Sequence, residues 1–161
     1  DRIVLGGASA GGNLSLLAAG TPGNAGFEGD GSNAGISSEV AAVIGVYPVT
    51  DVTDRGQEES REKLYGKNPS AEFLKAASPV YQVTPSYPPT MLVHGTADTQ
   101  VDYSNSMRFF KALEEAGVPV DMHLYAGQDH IFDREPMFAD AVSDAMALFI
   151  ERYVPVPAVA N

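Results

Sequence analysis

Short apolar runs recur along the chain and alternate with amphipathic or polar stretches. Four of these runs are short and bounded by turn-forming residues, so they predict β-strands. The second run is apolar enough to be buried on both faces of a sheet. The predicted strands are RIVLGG at 2–7, VAAVIGVYPV at 40–49, TMLVHG at 90–95 and PVDMHLY at 119–125.

Helical periodicity predicts longer helices after the first, third and fourth strands. These helices span 9–19, 102–117 and 136–154. Spacings of three and four residues predict two apolar helix faces: Leu14, Leu17 and Ala18 in the first helix, and Met107, Phe110 and Leu113 in the second.

The remaining stretches are polar and irregular. Residues 20–39 predict a long loop, and 155–161 predict a tail. From about 50 to 89, prolines interrupt the chain and predict a cap-like irregular segment, with short helices near 56–65 and 70–76.

Strands that alternate with helices predict right-handed crossovers and a mainly parallel sheet with flanking helices, which is an α/β fold. No repeat or linker divides the sequence, so we predict one domain over 1–161. Ligands bind beyond the carboxyl ends of the strands in such sheets. The residues that follow each strand are therefore the candidates for chemistry.

Charge and composition exclude several classes of function. The formal net charge is −11, which argues against binding to nucleic acid or an anionic membrane, since both need clusters of Lys and Arg. The chain has no cysteine, so disulfides, thiolate metal sites and cysteine nucleophiles are absent. No apolar run reaches the roughly 18 residues of a membrane span. The cellular compartment stays open.

Ser9 follows the first strand within the motif Gly7-Ala8-Ser9-Ala10-Gly11. A G-x-S-x-G motif between a strand and a helix is typical of a nucleophile elbow, in which glycines relieve crowding at a sharp turn. The N–H of Ala10 would then point to a developing oxyanion. The alternative is a glycine-rich helix entry or a phosphate-binding loop.

Asp98 and His130 follow the third and fourth strands, in the segments HGTADTQVD and AGQDHIF. The chain order Ser, Asp, His is that of a hydrolase triad. We predict that His130 is the general base for Ser9 and that Asp98 orients it. Asp102 is the rival carboxylate, although a helix cap is its simpler role.

Other polar and aromatic residues have simpler interpretations. His94 at the end of the third strand is interpreted as a structural hydrogen-bonding group, and His123 lies within the fourth strand. Asp129 either perturbs the pKa of the neighbouring histidine or is merely exposed. Three aromatic residues of the cap-like segment either line a pocket or pack within the cap: Tyr65, Phe73 and Tyr81.

Four segments in order resemble the carboxyl-terminal half of an α/β-hydrolase, in the esterase/lipase group that includes feruloyl- and acetylxylan-esterase-like domains and the hormone-sensitive-lipase-like esterases. They are GGASAGGNLSLLAA, FEGDGSNAGISSEVAAVIGVYPVTDV, ASPVYQVTPSYPPTMLVHGTADTQV and FFKALEEAGVPVDMHLYAGQDHIF. The resemblance implies a serine carboxylic-ester hydrolase without cofactor or metal. Its substrates would be short acyl or aryl esters, including esters of plant polysaccharides.

The resemblance also has departures. Members of the group usually have proline where Asp102 stands. Their upstream half holds four further strands and an H-G-G type loop with the remaining oxyanion donors, so the first strand here corresponds to the fifth of eight. One edge of this strand is then expected to be open. We expect the missing half to be a separate chain, or the open edge to form a homodimer; a short, inefficient gene product is the third explanation.

Three other functions stay open. The first is a serine peptidase similar to prolyl oligopeptidase, whose catalytic domain shares these motifs. The second is hydrolysis of thioesters or lactones, which needs the same attack on an acyl carbon. The third is a half-domain that is inactive without a partner chain. The acidic stretch EGDGSN lacks the regular ligand spacing of a calcium loop, so we predict no metal there.

Overall fold

The computed structural model describes residues 2–33, 35–53 and 58–154. In these residues four strands form one parallel sheet in the order β1-β2-β3-β4, which confirms the predicted α/β class. The strands lie within or close to the predicted runs, although the second is shorter than predicted. Their bounds are β1 Val4–Ala8, β2 Ala42–Val46, β3 Thr90–Gly95 and β4 Val120–Tyr125.

Six α-helices and two 3₁₀ turns occur in the described residues. The helices are α1 Ala10–Gly20, α2 Ala25–Glu28, α3 Glu58–Tyr65, α4 Ala71–Ala76, α5 Ser104–Glu115 and α6 Pro136–Tyr153. The 3₁₀ turns are Pro79–Tyr81 and Phe132–Arg134.

Helix α2 corrects the prediction of an uninterrupted loop over 20–39. The Asn24 side chain accepts a hydrogen bond from the N–H of Gly26 and caps this single turn. The predicted tail at 155–161 and the first two residues of the predicted helix at 56–65 lie outside the described residues.

The sheet separates two apolar layers. Val43 and Leu92 face α1 and α5, whereas Ile44 and Met91 face α6. Side chains that alternate along a strand point to opposite faces, and both faces of β2 and β3 are covered. Every residue of these two strands is therefore buried, which explains their continuous apolar sequences.

The predicted apolar face of α1 was wrong in rotation, whereas that of α5 was right for Leu113, which is buried, and for Phe110, which packs against the same core, but wrong for Met107. Leu14 is 65% exposed and Met107 is 41% exposed. Helix α1 instead buries Gly12, Leu16 and Ala19. Gly12 in its first turn packs against Pro48, just after β2, where an added Cβ would lie 3.0 Å from the proline Cβ.

Strand β1 pairs with β2 along one edge, and no other strand of the described residues pairs with its second edge. Gly6 and Ala8 are exposed there, and Ile3 is 58% exposed just before the strand. An unpaired parallel edge leaves backbone donors and acceptors available to another strand. Among the described helices, none has the length and hydropathy required to cross a membrane.

Candidate active site

Ser9 lies at the sharp turn between β1 and α1. Its backbone has φ 53° and ψ −118°, a left-handed conformation that is strained for a residue with a side chain. The Ser9 N–H donates to the carbonyl of Val46 at 2.9 Å, and the Ser9 carbonyl accepts from the N–H of Asn13 at 3.0 Å. Strand pairing and the first helical turn together hold this conformation.

The glycines of the motif have unequal roles. A Cβ at Gly7 would lie 2.2 Å from the carbonyl oxygen of Gly11, so only glycine fits there. A Cβ at Gly11 would have no described atom within 4 Å, which corrects the expectation that Gly11 relieves crowding. Gly12 is the second tight position, because its Cβ would lie 3.0 Å from the Cβ of Pro48.

The structure brings Ser9, His130 and Asp98 into one hydrogen-bonded chain. Ser9 Oγ lies 3.0 Å from His130 Nε2, and His130 Nδ1 lies 2.7 Å from Asp98 Oδ2. Since the carboxylate can only accept, the neutral ring carries its proton on Nδ1 and accepts the serine proton at Nε2. The side chains of His130 and Asp98 are 4% and 0% exposed.

Asp98 is surrounded by hydrogen-bond donors. Its Oδ1 accepts from the N–H groups of Gln100 and Val101 at 2.9 and 2.8 Å. Its Oδ2, which accepts from His130, also lies 3.2 Å from His94 Nε2. Two loop N–H groups and two imidazole rings therefore hold this buried carboxylate in place.

His94 is fully buried beside Asp98, a contact that sequence reasoning missed. Its Nε2 faces the Val101 carbonyl at 2.9 Å as well as Asp98, so Nε2 must carry the proton. Its Nδ1 then accepts from the Ser106 hydroxyl at 2.8 Å. Burial lowers the pKa of His94, which keeps the ring neutral.

Tyr47 also escaped sequence analysis. It follows β2 with φ 37°, and its ring centroid lies 4.4 Å from that of His130. The Tyr47 hydroxyl donates to Asp133 at 2.7 Å. Burial, followed by the Asp133 hydrogen bond, raises the pKa of Tyr47 far above its ordinary value. The sequence predicted a strand through residue 49, so Tyr47 looked like a core residue of that strand and no local signal distinguished it.

The side chains of Asp102, His123 and Asp129 are not members of the hydrogen bonds that link Ser9, His130 and Asp98. Asp102 accepts from the Ser104 N–H at 2.8 Å at the start of α5. The side chain of Ser104, followed by this N–H, lowers the pKa of Asp102. His123 lies in β4, where it pairs with Val93. Asp129 is exposed and makes several hydrogen bonds to the loops around His130.

A cavity of about 480 Å³ opens beside Ser9 and His130. Tyr65 is among its lining residues, whereas Phe73 packs edge-on against Tyr65 with ring centroids 5.5 Å apart. Tyr81 is half exposed and donates to Asp51 at 3.4 Å. The apolar lining residues come from α1, the loop after β2, α3 and the loop after β3: Leu14, Val49, Val52, Leu64 and Val101.

The arrangement can support nucleophilic chemistry at Ser9. The N–H of Ala10 belongs to the first turn of α1, where the helix dipole favours negative charge. His130 is placed to accept the serine proton. Within the described residues, no group of three His, Asp or Glu side chains could hold a metal ion.

Comparison with known proteins finds esterases among those similar to this chain. The BD-FAE family model matches residues 1–113. Esterase LipQ of Mycobacterium tuberculosis is 30% identical over 166 residues, which cover 94% of this chain and 39% of LipQ. These matches confirm the resemblance to α/β-hydrolase esterases.

Two solved structures are similar in fold and sequence. The thermophilic esterase Est2 of Thermogutta terrifontis has a TM-score of 0.78 and 26% identity, over 99% of this chain and 57% of that one. An acetyl ester-xyloside bifunctional hydrolase from Caldicellulosiruptor lactoaceticus has a TM-score of 0.72 and 25% identity, over 88% and 56%. The chain thus spans about two fifths of LipQ and somewhat more than half of each structure.

Proposed function

The chain belongs to the BD-FAE family, and on this premise we propose that it carries the catalytic centre of a serine carboxylic-ester hydrolase. The observation that carries the proposal is the hydrogen-bonded chain from Ser9 through His130 to Asp98, with distances of 3.0 and 2.7 Å. These lengths suit transfer of the serine proton to the ring. The strained backbone of Ser9 is a further sign of a functional position.

In the proposed mechanism, Ser9 Oγ attacks the acyl carbon while His130 Nε2 takes its proton. Asp98 holds the ring and stabilises the imidazolium. The Ala10 N–H donates to the developing oxyanion, while Gly7 and Gly11 belong to the turn that presents Ser9. His130 then protonates the leaving alcohol, and water repeats the sequence on the acyl-enzyme.

The cavity beside Ser9 supports a short acyl or aryl ester as the substrate. Its volume of about 480 Å³ and its aliphatic lining from Leu14, Val49 and Val52 fit a small apolar group. The similarity to an acetyl ester-xyloside hydrolase supports decorated polysaccharide as one source of such esters.

We also propose that 1–161 is a partial catalytic domain, with 50–89 as a cap-like segment over the cavity. The relatives are considerably longer than this chain, and the second edge of β1 has no strand partner within the described residues. The proposed occupant of this edge is a further strand, supplied by a longer polypeptide, a separate chain or a second copy.

Labelling with a fluorophosphonate probe, followed by intact mass, tests the proposed nucleophile. We expect a single adduct that is absent in the Ser9→Ala variant. An adduct that persists in Ser9→Ala would refute the assignment. Lack of labelling in the wild-type chain, even after an upstream half from a family relative is added, would refute the proposed function itself.

Substrate class is tested with p-nitrophenyl acetate and a proline anilide. We expect hydrolysis of the acetate and none of the anilide, because the aliphatic lining of the cavity beside Ser9 fits a small acyl group. Preferential cleavage of the anilide would favour the prolyl-oligopeptidase-like alternative.

A further inference from the structure

Asp98 and His130 lie in two different loops, at 96–101 after β3 and at 126–131 after β4. Their hydrogen bond therefore depends on how these loops are fixed to each other. The stems are joined by three hydrogen bonds: from the Thr96 N–H to the Tyr125 carbonyl at 3.0 Å, from the Ala97 N–H to the Gln128 carbonyl at 3.0 Å and from the Gly127 N–H to the Thr96 hydroxyl at 2.9 Å. These bonds fix the two loops up to Ala97 and Gln128, the residues that directly precede Asp98 and Asp129.

Asp129 joins the loops at their tips. Its Oδ1 accepts from the Thr99 N–H at 2.8 Å, from the Thr99 hydroxyl at 2.9 Å and from the His130 N–H at 2.7 Å. Its Oδ2 lies 3.1 Å from the same hydroxyl. Hydrogen bonds to an ionised acceptor are the stronger kind, and the N–H groups of Thr99 and His130 lower the pKa of Asp129.

The residues in this contact are direct neighbours of the proposed catalytic pair. Thr99 follows Asp98, and Asp129 precedes His130. We propose that Asp129 is a positioning residue that sets the placement of His130 against Asp98 by fastening the two loop tips together. This inference rests on the proposed function and adds a residue that acts through His130 without touching substrate.

Exposure of Asp129 makes the inference easy to test, because its substitution leaves no cavity in the core and water can reach the groups that it binds. Asp129→Ala removes every acceptor, whereas Asp129→Asn keeps Oδ1, which receives three of the four contacts. Asp140→Ala, an exposed carboxylate on α6, is the matched control for loss of surface charge.

The first readout is the fluorophosphonate labelling rate, together with kcat and KM for p-nitrophenyl acetate. We expect Asp129→Ala to lower the labelling rate and kcat about 10- to 100-fold with little change in KM, because small misplacements of a catalytic group have effects of this size. Asp129→Asn should recover most of the rate, and Asp140→Ala should match wild type. A wild-type rate in Asp129→Ala, or equal losses in the two Asp129 variants, would overturn the proposal.

The second readout needs no activity. The NMR signal of the His130 Nδ1 proton, assigned by its loss in His130→Ala, reports the bond to Asp98. We expect this proton to exchange with water at least about 5-fold faster in Asp129→Ala and at the wild-type rate in Asp129→Asn. An unchanged exchange rate in Asp129→Ala would overturn the positioning role of Asp129. The exchange measurement does not depend on fluorophosphonate labelling of Ser9. Failure of the positioning role can therefore be told apart from failure of the proposed function.

Discussion

Gly7 and Gly11 occupy matching places in the sequence motif around Ser9, yet the structure predicts opposite results when each is replaced by alanine. At Gly7 the new Cβ would lie 2.2 Å from the Gly11 carbonyl oxygen, about 0.8 Å inside the 3.0 Å limit of real contacts. Both clashing groups are held by backbone, so neither can rotate away. The first turn of α1 would have to move from β1.

The expected magnitude follows from this geometry. Overpacking a rigid site costs about 1–3 kcal/mol, and a backbone clash belongs at the upper end. For a chain of this length about 3 kcal/mol corresponds to a melting temperature lowered by about 6–12 °C. Because the Ser9 turn moves with the helix, the 3.0 Å contact between Ser9 and His130 is also lost. We expect fluorophosphonate labelling to slow by about 10-fold or more.

Gly11→Ala is the matched control within the same turn. Its Cβ meets no described atom within 4 Å, and alanine in a helix is favoured over glycine by up to about 1 kcal/mol. The variant should melt at or slightly above the wild-type temperature. Thermal unfolding followed by circular dichroism, with labelling rates beside it, makes the comparison. The reasoning fails if Gly7→Ala melts within about 2 °C of wild type, or if Gly11→Ala is destabilised as strongly.

Three further predictions concern the buried polar groups. Asp98→Asn should slow labelling about 10⁴-fold, because the groups described around this carboxylate are all donors and an amide NH₂ must face one of them. A loss under about 10-fold would contradict this prediction. Burial lowers the pKa of His94 from its ordinary value of 6.5. Below pH 6.5 the unfolded chain therefore binds a proton at this ring that the folded chain does not bind. The free energy of unfolding should fall as the pH drops, by at most about 1.4 kcal/mol per pH unit. Urea unfolding at several pH values measures this dependence. The free energy of unfolding should change less with pH in His94→Gln than in wild type, and an unchanged pH dependence would contradict the prediction. Tyr87→Phe removes the hydrogen bond from the tyrosine hydroxyl to the Leu16 carbonyl but keeps the ring against Phe109. We expect urea unfolding to show a stability loss of about 1 kcal/mol, with labelling at the wild-type rate. A slowed labelling rate would show that this core contact is coupled to the Ser9 site.

The strand and helix pattern and three of the site residues could be predicted from the sequence. Apolar runs and turn residues are local signals, and the rule that parallel strands present their carboxyl ends at one edge brought Ser9, Asp98 and His130 together. Tyr47 fell within a predicted strand instead, where an aromatic residue in an apolar run is indistinguishable from core. Its contact with His130 depends on a loop 83 positions further along the chain.

Packing alone decided the finer features of the site. The sequence by itself determined that a serine stands at a strand-to-helix turn and that an acid and a histidine follow later strands, because these are matters of order and local pattern. Distances between segments remote in the chain set three other features. They decide which glycine of the turn is indispensable, which face of α1 is buried, and that His94 shares the carboxylate of Asp98. Such distances arise only when the helices settle against the sheet, and no spacing within the sequence encodes them.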